Sequence, residues 1–147
     1  MTPYLIITDE MAHALTLAAK RGVDVRIITP GIPDKKLVYN VTRSFYHELV
    51  KDGVLIYEWT PGFCHAKMSV ADDCMATCGT INLDYRSLYH HFENGCFMAD
   101  CDAVQDIRND LYETMKECRE VTEKYRTGRS AYLRLGQLFM RLFAGLL

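Results

Sequence analysis

The chain has 147 residues, of which 49% are hydrophobic and 24% are charged, and its formal net charge at pH 7 is −2. This length and balance are typical of one globular domain with a real core. A nucleic-acid-binding domain is expected to have an excess of basic residues, which this chain does not have, although a protein with a near-neutral net charge can still carry a local basic patch. No apolar run reaches the ~18–20 residues that a membrane-spanning helix needs.

The first half of the chain alternates between strand-like and helix-like patterns. Apolar runs at residues 4–8, 23–29 and 54–59 predict three strands. Residues 9–21 and 34–52 have helical patterns, and each is followed by a glycine that is expected to end the helix. The order strand-helix-strand-helix-strand predicts a parallel sheet covered by helices.

The second half begins after a Pro-Gly break at residues 61–62 and contains more strands. The pattern predicts strands at 64–70 and 74–79, joined by a tight turn at 71–73, and then an irregular or short helical segment at 83–91. A further strand is predicted at 94–99, and a long polar helix is predicted from residue 100 or 102 to about 125.

The last segment differs in character, so we divide the chain into a domain at 1–128 and a helix at 129–147. Leucine, phenylalanine and tyrosine recur in it at helical spacing, with Arg134 and Arg141 among them. One interpretation is a terminal helix that packs on its own domain. The other is an amphipathic helix that lies on a membrane surface.

Six cysteines are present, and none forms a C-x-x-C pair: Cys64, Cys74, Cys78, Cys96, Cys101 and Cys118. Most lie in apolar, strand-like runs, where reduced cysteine behaves as a small hydrophobe. We therefore expect free thiols and a cytosolic setting. A zinc site made by Cys74, Cys78 and a histidine lacks the usual ligand spacing, so we predict no metal.

The strongest chemical signal lies in residues 63–82, which read F-C-H-A-K-M-S-V-A-D-D-C-M-A-T-C-G-T-I-N. His65 and Lys67 are two residues apart, and on a strand such residues point to the same face. Asp72 follows, and then the segment G-T-I-N ends at Asn82. The pattern is H-x-K-x4-D-x6-G-[S/T]-x-N, in which several fixed positions match at once.

These residue types suit attack on a phosphodiester. A neutral imidazole brings no charge of its own to an anionic substrate, and it can form a covalent phosphohistidine that divides one difficult step into two. Lys67 can neutralise charge that develops on the phosphoryl oxygens, and Thr80 and Asn82 can donate hydrogen bonds to them. Cationic side chains would do the work of a metal, so we expect no metal and no cofactor.

The pattern resembles the HKD signature of the phospholipase D superfamily. The resemblance implies a catalytic set of His65, Lys67, Asp72 and Glu93, with phosphate binding by Lys67, Thr80 and Asn82. In this superfamily a downstream carboxylate orients the nucleophilic histidine, and the matching residue is Glu93 in H-H-F-E-N-G. We therefore assign the orienting role to Glu93, and we interpret Asp72 as a structural carboxylate in the turn between two strands.

Wider stretches are similar to the second half of bacterial cardiolipin synthases. They are T-P-Y-L-I-I-T-D-E, R-I-I-T-P-G-I-P-D-K-K, Y-E-W-T-P-G-F-C-H-A-K, G-T-I-N-L-D-Y-R-S-L and R-L-F-A-G-L-L. The resemblance implies an α/β fold with a mixed, mostly parallel sheet sandwiched between helices. In the family a helix and most of one strand precede T-P-Y, so we expect this half-domain to be truncated there.

The resemblance also implies a function. These enzymes join two phosphatidylglycerol molecules at the cytoplasmic face of the bacterial membrane, using two HKD motifs that face each other across one site. Only one such motif is present here. We therefore expect a half-site that needs a second HKD half, either from the missing amino-terminal region or from a homodimer mate. By itself the chain would be soluble or peripheral.

Two other interpretations stay open at this stage. One is a homodimeric phosphodiesterase or nuclease, because some superfamily members carry one motif per chain. The near-neutral charge argues against it, and we expect no nucleic-acid partner. The other is an inactive fragment that serves in binding or assembly.

Overall fold

The computed structural model describes residues 1–127 together with Phe139 and Arg141. The first half has the predicted alternation of strands and helices. In chain order the elements are β1 (Leu5–Ile6), α1 (Asp9–Lys20), β2 (Arg26–Pro30), α2 (Lys36–Lys51) and β3 (Leu55–Trp59).

The second half is richer in short elements. It contains β4 (Met68–Ala71), β5 (Met75–Gly79), β6 (Leu83–Asp84), a π-helical turn (Arg86–His90), β7 (Gly95–Ala99), α3 (Asp102–Lys116), β8 (Cys118–Glu120) and α4 (Thr122–Thr127).

In the described part of the chain the strands form three sheets, so the predicted mixed α/β architecture is confirmed. β1 pairs with β6 in parallel. β2 pairs with β3 in parallel, and β8 adds to β3 in the antiparallel direction. β4, β5 and β7 form an antiparallel sheet.

The first two residues of the chain form hydrogen bonds to two of these sheets. The Met1 nitrogen donates to the Met68 carbonyl at 2.7 Å, and the Met68 N–H donates to the Met1 carbonyl at 3.2 Å. The Thr2 N–H donates to the Ile28 carbonyl at 3.0 Å. The chain therefore enters the fold between β4 and β2.

The largest core lies between the first strands and the helices α1 and α2. Leu5, Tyr46, Leu49, Val54 and Ile56 are among its fully buried members. Burying one such side chain contributes about 1.5–3 kcal/mol relative to leaving it exposed. This core fixes β3, from whose carboxyl end the chain continues toward His65 and Lys67.

Several predicted boundaries are wrong. The predicted strand at 64–70 begins only at Met68, and the predicted strand at 23–29 is shifted to Arg26–Pro30. The predicted long helix ends at Lys116, and β8 and α4 follow where its last turns were expected. The segment 83–91, predicted as irregular or helical, contains β6 and the π-helical turn.

A buried carboxylate explains why the chain leaves the helix for β8. Glu58 on β3 is fully buried, and its two oxygens accept from Arg43 at 2.6 Å and from Arg119 at 2.8 Å. Arg119 lies directly opposite Glu58 in the antiparallel pair of β3 and β8. A buried charge is costly unless it is paired, so this carboxylate favours an extended segment that carries an arginine beside it.

The predicted amphipathic helix at 129–147 lies outside the described residues, apart from two positions. Arg141 donates to Glu48 on α2 at 2.7 Å and lies over the ring of Phe45 at 4.3 Å. In the part of the chain that is described, no helix combines the length and the apolar character that crossing a bilayer requires.

The buried ion cluster leads to a stability prediction. Glu58→Gln should lower the free energy of unfolding by about 1.5–3 kcal/mol, the usual worth of hydrogen bonds to a charged group. Denaturant unfolding monitored by circular dichroism would measure the change. Glu113→Gln is the matched control, because Glu113 pairs with Lys116 on the surface at 2.6 Å and should change stability by less than about 1 kcal/mol. Equal effects of the two substitutions would contradict the prediction.

Candidate active site

His65 and Lys67 lie in the segment that joins β3 to β4, and their side chains meet. Lys67 Nζ is 2.9 Å from Nδ1 and 3.1 Å from Nε2 of the His65 ring, and it donates to the His65 carbonyl at 2.7 Å. An ammonium can only donate to a ring nitrogen that carries no proton. Whichever ring nitrogen is unprotonated can thus accept from Lys67, which places the ammonium beside the atom that a nucleophile would use.

Two aromatic rings flank His65. The ring of Tyr4 contacts it edge-on at 6.2 Å between centroids, and the ring of Phe63 lies at 5.8 Å. The Tyr4 hydroxyl donates to Asp34 at 2.7 Å. Burial, together with this carboxylate, raises the pKa of Tyr4 to about 12, so the phenol stays protonated at neutral pH. The rings limit the orientations that the imidazole can take.

The second part of the motif forms the other wall of the site. An open cavity of about 470 Å³ is lined by side chains and backbone of His65, Lys67, Cys78, Thr80 and Asn82. The Gly79 N–H donates to the Lys67 carbonyl at 3.2 Å, so the two segments of the motif face each other across this cavity.

The glycine of the motif is required by a close approach of β5 and β7. A Cβ atom at Gly79 would lie 2.3 Å from the Asn94 carbonyl oxygen and 2.7 Å from the Cα of Gly95. The same approach allows Thr80 N–H to donate to the Asn94 carbonyl at 2.8 Å, and Asn94 N–H to donate to Thr80 Oγ1 at 2.9 Å. Thr80 is thereby held at the edge of the cavity.

Asn82 carries an unused polar atom. Its Oδ1 is buried, and it has no hydrogen-bond partner in the described part of the chain. Because the carbonyl and amino groups of an asparagine exchange places by a rotation about χ2, this position can present either an acceptor or a donor to a ligand.

Glu93 lies at the rim of the same cavity, on the loop that precedes β7. Its carboxylate accepts a short hydrogen bond from Thr80 Oγ1, and it lies 3.7 Å from His91 Nδ1. The hydrogen bond from Thr80 holds the pKa of Glu93 below its usual range, so this carboxylate is ionised at neutral pH. The hydrogen bond from Thr80 thus keeps a negative charge close to the motif.

A π-helical turn precedes Glu93 and determines the path of the chain that leads to this residue. The His91 N–H donates to the Arg86 carbonyl at 2.8 Å, which closes the wide turn. Buried Asp84 accepts from the Ser87 N–H at 2.7 Å and fixes the start of the turn. Single π-helical turns of this kind are frequent at functional sites.

The structure brings together five of the six predicted site residues: His65, Lys67, Thr80, Asn82 and Glu93. Within the described residues, the ring of His65 contacts Lys67, Tyr4 and Phe63, and Glu93 makes no hydrogen bond to it. The orienting role of Glu93 therefore stays a prediction.

Asp72 lies away from the other five. It occupies the turn between β4 and β5, where Asp72 and Asp73 both have positive φ angles of 49° and 57°. Two consecutive residues with positive φ are typical of a type I′ hairpin turn, which aspartate tolerates well. β4 separates Asp72 from Lys67 by four residues, or roughly 13 Å of strand.

The surroundings of Lys67 shift the pKa of its ammonium group. Partial burial lowers the pKa of its ammonium from the usual value, while the carboxylates of Glu93 and Asp84 oppose that shift. A partly desolvated ammonium interacts with an anion more strongly than a fully hydrated one. In the described residues, no group of three or more potential metal ligands lies close enough to hold an ion.

Tyr4 and Phe63 are site residues that the sequence motif did not identify. Phe63 is two positions before His65, so the same spacing that pairs His65 with Lys67 could have indicated it. Tyr4 is more than sixty residues away in the sequence, and its region is brought to the motif by long-range backbone pairing, of Met1 with Met68 and of β1 with β6.

Comparison with known proteins gives consistent matches. Residues 1–115 match the family model described as "Cardiolipin synthase, PLD-like domain". An uncharacterized protein of Streptococcus mutans is 52% identical over 147 residues, which are 100% of this chain and 32% of that protein. Cardiolipin synthase 2 of Bacillus cereus is 36% identical over 146 residues, which are 99% of this chain and 28% of that enzyme. The chain thus spans about a third of the length of these relatives.

Solved structures share the fold at low sequence identity. Nuc from Salmonella typhimurium, a phospholipase D family member, aligns with a TM-score of 0.69 and 17% identity over 80% of this chain and 76% of its own. NucT from Helicobacter pylori aligns with a TM-score of 0.59 and 16% identity, over 80% of this chain and 77% of its own. With a family model that covers residues 1–115, the chain belongs to the family of the phospholipase D-like domain of cardiolipin synthase.

Proposed function

We propose that the chain is one catalytic half of a phosphatidyltransferase of the cardiolipin synthase type, and that it acts on phosphatidylglycerol at a membrane surface. The observation that carries the proposal is the contact between the Lys67 ammonium and the ring nitrogens of His65, at the wall of an open cavity. A neutral nucleophile beside a fixed cation is the arrangement that a phosphodiester anion needs.

In the proposed reaction, a ring nitrogen of His65 attacks the phosphorus of the lipid. A nitrogen–phosphorus bond forms, the bond to one glycerol oxygen breaks, and a phosphatidyl-histidine results. Lys67 stays near the phosphoryl oxygens, while Thr80 and Asn82 donate to them. The hydroxyl of a second lipid then attacks the phosphorus and the nitrogen–phosphorus bond breaks, which restores the imidazole and releases the joined product. The proton of that hydroxyl passes to the group that protonated the departing glycerol.

Glu93 has the charge that an orienting residue needs. Its lowered pKa keeps the carboxylate ionised, and it could stabilise the imidazolium that forms after transfer. In the unliganded geometry its carboxylate is bonded to Thr80. A phosphate that accepts the hydroxyl of Thr80 would compete for this hydrogen bond, and it would release Glu93 to turn toward His65.

The departing glycerol oxygen needs a proton, because an alkoxide is too basic to leave unassisted near neutral pH. His65 cannot be both nucleophile and acid in one step. His13 lies on α1 and His47 on α2, where its Nδ1 is 2.8 Å from the Tyr125 carbonyl. His90 and His91 are nearer to the site, but neither is followed by a lysine two residues later. We therefore assign the acid to a second HKD half.

His65 should be the residue that becomes covalently phosphorylated. Incubation with lipid substrate and a complementing half, followed by quenching in base, should trap an acid-labile phosphoramidate on His65 that mass spectrometry can locate. His65→Ala should abolish both the label and turnover, because no other described histidine contacts Lys67. His13→Ala, which alters an exposed histidine on α1, should change neither. A label on another residue, or turnover in His65→Ala, would show that the assignment is wrong.

Glu93 rather than Asp72 should control the imidazole. Glu93→Gln should lower kcat by about 10²–10⁴-fold with little change in stability, by analogy with loss of the orienting carboxylate in hydrolytic triads. In Asp72→Asn the new side chain has nearly the same size, and asparagine tolerates the positive φ of this exposed turn position, so kcat should not change. Steady-state kinetics and thermal melts on both variants decide the matter. A folded but inactive Asp72→Asn beside an active Glu93→Gln would reverse the assignment.

The isolated chain should have little transferase activity as a monomer, since the acid is missing. Mixing it with a separately expressed first half of a cardiolipin synthase should restore phosphatidylglycerol turnover, and the rate should rise until the partner saturates. Light scattering on the same samples would give the oligomeric state. Full activity in a dilute monomer would contradict the two-half mechanism.

The same measurements distinguish the alternatives. Phosphodiesterase activity that rises with the concentration of the chain alone, together with salt-dependent affinity for DNA, would favour the homodimeric nuclease. No turnover in any mixture, with the fold intact, would favour an inactive fragment.

A further inference from the structure

Three sulfur-containing side chains form a row across the antiparallel sheet of β4, β5 and β7. Met68 on β4 pairs with Cys78 on β5, and Cys78 pairs with Cys96 on β7. Residues that lie directly opposite each other in antiparallel strands point to the same face of the sheet. The thioether of Met68 and the two thiols therefore lie side by side. The reaction proposed at His65 uses none of these three side chains.

The row lies on a surface that a dissolved ion can reach. The hydroxyls of Ser69 and Thr77 are 2.7 Å apart, so the odd-numbered residues of β4 and β5 share one face of the sheet. The sulfur row occupies the opposite face. Both of its cysteines are exposed free thiols, and Met68 is half-buried beside them.

The backbone sets the spacing of the two cysteines. Two positions beyond them, the Thr80 N–H donates to the Asn94 carbonyl at 2.8 Å. Hydrogen-bonded pairs recur at every second position of an antiparallel ladder, so Cys78 and Cys96 also form a hydrogen-bonded pair. The Cβ atoms of such a pair lie about 5.5 Å apart. A disulfide needs a Cβ separation of about 3.5–4.5 Å, so this spacing disfavours a direct bond between the two sulfurs.

One metal ion between the two sulfurs fits the spacing better. A metal–thiolate bond is about 2.3 Å long, so two sulfurs on opposite sides of one ion lie up to about 4.6 Å apart. Cysteines whose Cβ atoms are about 5.5 Å apart reach this separation when their side chains lean toward each other.

Met68 can supply a third ligand. The Gly79 N–H donates to the Lys67 carbonyl at 3.2 Å, so the next pair, Met68 and Cys78, is a non-hydrogen-bonded pair. The side chains of such pairs are closer together than those of hydrogen-bonded pairs. Methionine is unbranched and flexible, so its thioether can reach an ion that Cys78 holds.

We propose that Met68, Cys78 and Cys96 form a binding site for a soft monovalent metal ion, of which Cu(I) is the biological example. Thiolate and thioether ligands together select Cu(I). Zinc usually takes four ligands from cysteine, histidine and acidic side chains. In the part of the chain that is described, no three side chains of those types come close enough to hold an ion together.

Binding exchanges two protons for one ion. Each thiol releases its proton to solvent, the two thiolates bind Cu(I), and the thioether donates a lone pair without losing a proton. Two thiolates and one Cu(I) carry a single negative charge. Lys67 lines the same cavity as Cys78, and its ammonium favours a negative group there. The site adjoins the candidate active site, but its proposal does not depend on the reaction at His65.

Competition with the chromogenic Cu(I) chelator bicinchoninate tests the proposal on the reduced chain without oxygen. The chain should take one equivalent of Cu(I) from the chelator. Cys78→Ser and Cys96→Ser should each weaken the affinity by about 10²-fold or more, because a ligand is lost. Met68→Leu keeps the volume of the side chain and should weaken it by about tenfold. Cys101→Ser is the matched control, because Cys101 is an exposed free thiol outside the row, and it should leave the affinity unchanged.

Protection from alkylation is a second measurement, and it needs no variant. Ag(I) is a soft monovalent ion like Cu(I), and one equivalent should protect Cys78 and Cys96 from iodoacetamide while Cys101 still reacts. This measurement decides the matter if a serine variant fails to fold. Unchanged affinity in Cys78→Ser, or an equal loss in Cys101→Ser, would overturn the proposal. Equal alkylation of all three cysteines in the presence of Ag(I) would overturn it as well.

Discussion

The hydrogen bond from the Gly79 N–H to the Lys67 carbonyl determines the geometry on which the site depends. It sets the register between the two segments of the motif, so that His65 and Lys67 face Thr80 and Asn82 across one cavity. At Gly79, β5 lies close to the segment that leads into β4 on one side and to the start of β7 on the other. On the β7 side, only a glycine fits against the Asn94 carbonyl. A larger residue at position 79 would separate these strands and move Thr80 away from the phosphate position.

The electrostatics of the site follow from that geometry. The ammonium of Lys67 lies against the ring nitrogens of His65, and the hydroxyl of Thr80 keeps the carboxylate of Glu93 ionised nearby. In the proposed reaction, the charge of Lys67 would lie beside the phosphoryl oxygens, and the carboxylate of Glu93 would lie at the rim, bonded to the hydroxyl of Thr80. The precise contacts of Lys67 therefore matter more to this proposal than its presence in the sequence.

The alternation of strands and helices in the first half was predicted correctly, because its helices have a clear apolar period and a glycine lies just beyond each of them. It failed at β8, where Cys118–Glu120 has no strand-like alternation and is extended because Arg119 must reach buried Glu58. The motif and the carboxylate downstream of it identified five residues that meet at the site. They could not identify Tyr4, which long-range backbone pairing brings to His65, nor could they predict that the carboxylate of Glu93 bonds to Thr80 rather than to His65.

The exposure of the site bears on how it could work. His65, Thr80 and much of the surrounding loop are exposed, and Phe92, next to Glu93, has an entirely exposed ring. Interactions of charges with a phosphoryl group weaken in water and strengthen when water is excluded, so an open site of this kind stabilises a transition state poorly. For the proposed reaction, a facing surface would exclude that water, cover the ring of Phe92 and carry the acid that the mechanism assigns to a second half. Desolvation and proton supply are thus two separate physical requirements that the proposed second half would meet together.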